Sequence, residues 1–322
     1  MKTLFWKCAL LCLTAAAVLF AGSLAYWRTE TFQELERVED TVRFRDMPEE
    51  IDIAVVGTSH GEDAFQYPPE GCSFFNFSLA AQTPQYDAAM LRQFGDRIPE
   101  GGLVVLTLSY MSPYWTCTEE AFESRQPRYY RILSPENMVD GSLSRWVLTR
   151  AFPLLTLDPP EIVEALFGPP PEHSVTREEV GLRQLPQDTI PSEQERILRD
   201  HWTLIEPSYP EVNPVMWEAY HEMLDLCARR GWQAVLATPP YPAEYSACFP
   251  EGFYEEFRAK AEELAEEYGV PYLDYSHHPD YAASHQLFKN LDHLNFQGAE
   301  RFDRQFFADV EALGLLPPAA ES

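Results

Sequence analysis

Beyond residue 50 the chain carries five short runs that are apolar on consecutive rather than alternate positions: IDIAVVG (51–57), CSFFNFSLA (72–80), GLVVLTLS (102–109), WQAVLATPP (232–240) and PYLDYS (271–276). Runs of that length and composition suit strands buried on both faces, and the glycine closing the first suits a tight turn. Between them, TPQYDAAMLRQFGDRI (83–98), NPVMWEAYHEMLDLCARRG (213–231) and EGFYEEFRAKAEELAEEYG (251–269) place apolar residues three and four apart, and two of these stretches stop at glycine. That is the spacing and punctuation of amphipathic helices. Strands alternating with helices predict right-handed βαβ units. The expected fold is therefore α/β, a flavodoxin-like three-layer αβα arrangement around a parallel sheet of about five strands.

Two segments depart from this rhythm. The 20 residues from Cys8 to Trp27 are uncharged and mostly apolar, long enough for a helix to span a bilayer. Lys2 and Lys7 precede them, so the positive-inside rule leaves the N-terminus in the cytoplasm and everything after Arg28 outside the membrane. A cleaved signal peptide is the competing reading, with SLA at 23–25 as the cutting site, and would make the protein secreted. Residues 29–50 are highly charged and read as a stalk with some helix. Residues 116–205 hold much of the proline and read as an insertion of short helices, either a cap on a cleft or a surface excursion. The expected organisation is thus an anchor (1–28), a stalk (29–50) and one domain (51–322) with its insertion.

Composition narrows the partners. Fifty-one acidic residues against 24 basic ones give a net charge of −27, which excludes a grip on nucleic acid because phosphates need clustered Lys and Arg. Cys72, Cys117, Cys227 and Cys248 match no zinc spacing and read as free thiols.

Ligands of open α/β sheets bind beyond the carboxyl ends of the strands. After the first run comes GTSHGEDAF, where Ser59 either presents its hydroxyl beside free backbone N–H groups or caps the next helix, with Glu62 completing a capping box. His60 either packs on this turn, contacts substrate, or pairs with a carboxylate such as Glu62 or Asp63. Near the end, NLDHLNFQGAERF brings His293 and Asp292 to a loop opening an amphipathic helix. His277, His278, His285 and Asp280 have no spacing that would aim them at one ion, so no metal and no cofactor is expected. Tyr110, Tyr114, Trp115 and Tyr241 follow strand ends, where aromatic rings could stack on sugars or pack the rim.

With GTSH after the first strand, NFSLAAQTPQYD after the second and DHLNFQGAERF at the end, the chain resembles the SGNH/GDSL hydrolase superfamily. Within it, the likeness is to the exported, membrane-anchored branch related to DltD and AlgJ/AlgX proteins, which act in cell-wall or exopolysaccharide acylation. The resemblance covers about 51–112 and 232–310. It implies Ser59 as nucleophile and His293 as general base, later acid. The implied oxyanion donors are the Ser59 N–H, the Asn76 side chain and a backbone N–H between Ser78 and Ala81.

Three departures qualify what is carried over. Relatives place Asp three residues before the His, where this chain has Asn290, so Asp292 becomes the candidate orienter, with Asp274 or a slow, degenerate site as alternatives. TLSYMSPYW (107–115) replaces the Gly-x-Asn-Asp block, making Ser109 and Tyr110 candidates to line the site. SLAAQ offers no glycine for a second oxyanion donor. The implied function is a serine esterase or O-acyltransferase acting on a cell-envelope carbohydrate, receiving acyl groups from a multi-spanning membrane partner. The alternative is a non-catalytic scaffold or glycan-binding module on the same fold.

Overall fold

The protein was analysed as a computed structural model, which describes residues 2–116, 127–139, 141–169, 171–172 and 174–318. Cys117 lies outside the described residues.

The chain divides into two compact units, residues 1–46 with 119–174 and residues 47–118 with 175–322. The second holds the sheet. Its five strands are β1 (Ile53–Val56), β2 (Phe74–Asn76), β3 (Leu103–Thr107), β4 (Gln233–Thr238) and β5 (Tyr272–Asp274), in the order β2-β1-β3-β4-β5. All neighbours are parallel, with Ile53 opposite both Phe74 and Leu103, Leu103 opposite Gln233, and Leu236 opposite Tyr272. Every residue of β1 and β3 is buried. That burial explains why these strands read as unbroken apolar runs: covered on both faces, they have no solvent side to mark with polar residues.

Each of the five predicted runs contains a strand, shorter than the run itself. The predicted helices form at Pro84–Phe94, Pro214–Arg230 and Phe253–Tyr268. Gly231 and Gly269 end the last two in the left-handed conformation, which glycine adopts without a side-chain clash. The helix Phe296–Ala312 buries Phe302 and Phe306 against Phe65, with ring centroids 5.2 and 4.9 Å apart. This packing ties the end of the chain to the loop after β1.

The predicted insertion does not act as one body. Residues 119–174 belong with the N-terminal segment, whereas 175–205 belong with the sheet unit. In the first unit, α1 (Lys2–Tyr26) is 25 residues long and apolar enough to cross a membrane, and it buries only Ser23 and Tyr26. Tyr26 and Phe32 join Leu154 and Ala165 in a small core. The stalk contains the helix α2 (Glu30–Val38), capped by the Thr29 hydroxyl accepting from the Phe32 N–H. Arg150 donates to the carbonyls of Tyr130 and Arg131, satisfying groups left open where the helix over 127–132 ends.

Asp87, on the helix Pro84–Phe94, sits behind the turn that follows β1. Its carboxylate accepts from Gln82 Nε2 at 2.7 Å, and the same amide reaches the Phe77 carbonyl at 3.0 Å. Burial pushes the Asp87 carboxyl up from 3.8 to about 8. The fold therefore keeps a proton that the unfolded chain releases above pH 4, so this group's contribution to stability is lost as pH rises towards 8. The loss approaches about 1.4 kcal/mol per pH unit. Asp87→Asn should lack this slope, so that in chemical denaturation at pH 5 and pH 8 the variant gains on wild type at the higher pH. A pH-independent difference would mean that Asp87 is ionised in the fold.

Candidate functional site

The turn after β1 is built for close approach. Gly57 has φ 152°, and a Cβ there would lie 1.5 Å from Thr107 Oγ1, so only glycine lets β1 leave the sheet beside β3. Thr58 then caps the helix α3 (Ser59–Ala64), its hydroxyl accepting from the His60 N–H at 3.3 Å. The cap is Thr58 and not Ser59. Ser59 is instead the first helical residue, where a backbone N–H has no partner within the helix and the hydroxyl is free for other work.

The second half of the site is the loop 288–295. Phe288 and Leu294 pair as an antiparallel bridge, and the Lys289 N–H donates to the His293 carbonyl. Inside this closed loop Asn290 Oδ1 accepts from the N–H groups of Asp292 (3.3 Å) and His293 (2.9 Å). A side-chain oxygen taking over backbone donors two and three residues on is how asparagine organises a turn. Asn295 closes the loop: Oδ1 accepts from Gly298 N–H and caps the last helix, while Nδ2 donates to the carbonyls of Gln286 and Arg183. A Cβ on Gly298 would meet the Leu287 carbonyl at 2.1 Å. The HLNFQG signature thus describes a loop-to-helix joint. Asn295→Ala should lower stability by about 1–3 kcal/mol, read as a drop in thermal midpoint, because it removes the cap and uncovers buried carbonyls.

These two pieces meet. His293 Nε2 lies 2.8 Å from Ser59 Oγ, across 234 residues of sequence. On the other side of the ring, Nδ1 is 3.1 Å from Asn290 Oδ1, with which it is aligned as a hydrogen bond, and 3.1 Å from Asp292 Oδ2. Asn290 and Asp292 therefore share the nitrogen: the amide supplies a line-of-sight acceptor and the carboxylate supplies charge. Asp274, the other candidate orienter, is committed elsewhere, accepting from Ser276 and from the Tyr254 hydroxyl.

Asp292 is the hub. Its side chain is fully buried, with Oδ2 at 3.4 Å from His60 Nε2 and 3.3 Å from His201 Nε2, and Oδ1 taking the guanidinium of Arg196. Burial alone would raise its pKa, but the imidazoles of His293, His60 and His201 outweigh it and hold the carboxyl well below the usual range. Burial pushes His60 down and His201 down to about 3, so both rings are neutral. The hydroxyls of Tyr241 and Tyr245 bond to Nδ1 of His60 and His201, at 3.2 and 3.1 Å. Burial raises both phenols well above 10, so they keep their hydrogens, and because the Asp292 carboxylate can only accept, the hydrogen of each ring belongs on the Nε2 that faces it, with Nδ1 accepting from the phenol.

Arg196 and His201 were not foreseen. They come from the stretch read as an insertion: Arg196 from the helix Ile190–Ile197, and His201 from a π-helical turn, Leu198–Trp202, that follows it. A π-turn widens the helix by one residue, a feature found often at functional sites. Glu193, on the same helix, braces Arg196 at 2.9 Å and accepts from the Leu291 N–H at 3.3 Å.

Other expectations require correction. Asn76 is no oxyanion donor, since both amide hydrogens go to the carbonyls of Gly61 and Phe65, each at 2.9 Å, while Oδ1 accepts from the Ser78 N–H. It straps α3 to the turn after β2. Ser109 pairs with Ser112, and Tyr110 stacks behind Tyr245 with its hydroxyl towards His277, so neither lines the site directly. Tyr110, Tyr114, Trp115 and Tyr241 are all buried and offer no face to a sugar. His60 finds its carboxylate in Asp292 and not in Glu62 or Asp63. His277, His278 and His285 take separate partners, as their spacing suggests. Ala81 adopts φ 50°, a left-handed conformation usually left to glycine, in the turn after β2.

Searches of the chain against protein-family models and against curated proteins return no match.

Proposed function

We infer that this protein is a serine-dependent esterase or O-acyltransferase of the SGNH type, anchored in a membrane through α1. The observation that carries the reading is the 2.8 Å contact between Ser59 Oγ and His293 Nε2, with a buried carboxylate behind the ring. The strand order 2-1-3-4-5 with parallel pairing is that of flavodoxin-like sheets, which supports the three-layer arrangement.

The reaction follows from the proton positions. Ser59 Oγ bonds to the acyl carbonyl carbon as its proton passes to His293 Nε2, and Asp292 offsets the imidazolium charge. The tetrahedral oxyanion is held by the Ser59 N–H at the first turn of α3, with a backbone N–H of the strained turn at Ala81 as second donor. Collapse breaks the bond to the leaving alcohol, which takes the proton from His293. Water or an acceptor hydroxyl then attacks the acyl-serine by the same path in reverse. The acceptor class, a cell-envelope carbohydrate, and a multi-spanning acyl donor rest on the resemblance, while the extracytoplasmic placement rests on Lys2 and Lys7 preceding the uncharged run from Cys8 to Trp27.

The test is covalent trapping. Full-length protein in detergent should form a one-to-one adduct with a fluorophosphonate probe, mapped by mass spectrometry to Ser59 and absent from Ser59→Ala. Failure of the wild type to react would favour the non-catalytic scaffold.

A further inference from the structure

We propose that the imidazoles around Asp292 form an inhibitory site for a divalent transition cation of the Zn²⁺ class, which would switch off the serine by capturing its base. The proposal rests on the Ser59–His293 reading for its consequence, though not for the binding itself.

Three imidazole nitrogens crowd one oxygen. His60 Nε2, His201 Nε2 and His293 Nδ1 lie 3.4, 3.3 and 3.1 Å from Asp292 Oδ2. A carboxylate oxygen has about two lone-pair sites, so three N–H groups are one more than it can accept in line. All three contacts are also longer than an ordinary charge-assisted hydrogen bond, about 2.7–2.9 Å. Zn–N and Zn–O bonds of about 2.0–2.2 Å in a tetrahedron place neighbouring ligand atoms about 3.3–3.5 Å apart, the range of the His60 and His201 separations from Asp292 Oδ2. Donor atoms of His60, Asp292 and His293 all fall within 4.8 Å of one another.

The surroundings match a ligand set. Metal-bound imidazoles use their second nitrogen to bond an outer partner, and here His60 and His201 have Tyr241 and Tyr245 in those places while His293 has Ser59. Arg196 neutralises only one of the two carboxylates it touches, Asp292 and Glu193, leaving one negative charge for an incoming cation. His293, 13% exposed, is the member through which an ion enters from solvent.

Coordination needs no loss of protons from the neutral rings, only a change of tautomer. His60 and His201 move their hydrogens to Nδ1, where the tyrosine oxygens accept them. His293 binds through Nδ1 and moves its hydrogen from there to Nε2, pointing at Ser59 Oγ. A ring held this way cannot take the serine proton, so acyl transfer stops.

The experiment uses full-length protein in detergent and two probes, Zn²⁺ and Co²⁺. One equivalent of Co²⁺ should give the intense visible bands of a tetrahedral site, displaced by Zn²⁺ and erased by a chelator. His60→Gln and His201→Gln keep an amide donor towards Asp292 but ligate metal poorly, so each should weaken Co²⁺ binding at least tenfold, with folding checked by circular dichroism. Zn²⁺ should abolish aryl-acetate turnover and chelator restore it, while Mg²⁺ has no effect. Absence of a tetrahedral Co²⁺ spectrum, or unchanged binding in both Gln variants, overturns the proposal. A correct spectrum in a protein without esterase activity would uphold the metal site and sink the hydrolase reading alone.

Discussion

Ser59→Ala is expected to lower kcat for an activated aryl acetate by about 10⁶-fold, the scale lost when the serine of a Ser-His-Asp triad is removed. The reason is positional. Among the described residues Ser59 Oγ is the hydroxyl bonded to His293, and the neighbouring residues hold that geometry whether or not the hydroxyl is present: Thr58 caps the helix, Gly57 fits against Thr107, and Asn290 fixes the loop. The variant should therefore fold with an unchanged thermal midpoint while initial rates, followed with full-length protein in detergent, fall to background. Equal and negligible rates for wild type and variant would leave the fold as a scaffold with a vestigial site.

The second large effect is expected at Asp292. Asp292→Asn should cost about 10⁴-fold in kcat, as the same change does in a Ser-His-Asp triad, because an amide cannot offset the charge that forms on His293. Here the change also removes the buried one of the two carboxylates that Arg196 pairs with, so a drop in stability should accompany the loss of rate. Asn290→Ala removes one neutral hydrogen bond to Nδ1, about 1 kcal/mol, and should cost about fivefold in rate. Asn290→Asp would set a second carboxylate against the first, and like charges this close resist joint ionisation, so little gain in rate is expected. Steady-state kinetics on the three variants separate the roles. A large loss at Asn290 with little at Asp292 would reverse them.

Several elements of the site were legible because they are local. Gly-Thr-Ser after an apolar run marks a strand-to-helix turn, and His-Leu-Asn before an amphipathic helix marks a capped joint. The structure places Ser59 and His293 in those contexts, 2.8 Å apart. Asn290, which looked like a degraded acid, is the residue whose side chain makes the turn and shares Nδ1. Asn76 misled because a polar residue at a strand end reads alike as a site donor or a strap. Only its two carbonyl partners tell these apart.

The sequence by itself determined the α/β class, the five strands and the membrane-length apolar helix, all of which depend on short-range periodicity, while the pairing of Ser59 with His293 came from the family resemblance. Only the tertiary structure decided what lies behind the base. His60 converges on Asp292 from one segment and Arg196 and His201 from another, the latter in a stretch of chain whose pattern carried no sign of chemistry. A buried carboxylate has to be compensated by whatever the fold brings within about 3 Å of it, and that choice is made by packing at long sequence separation, which local sequence patterns do not record.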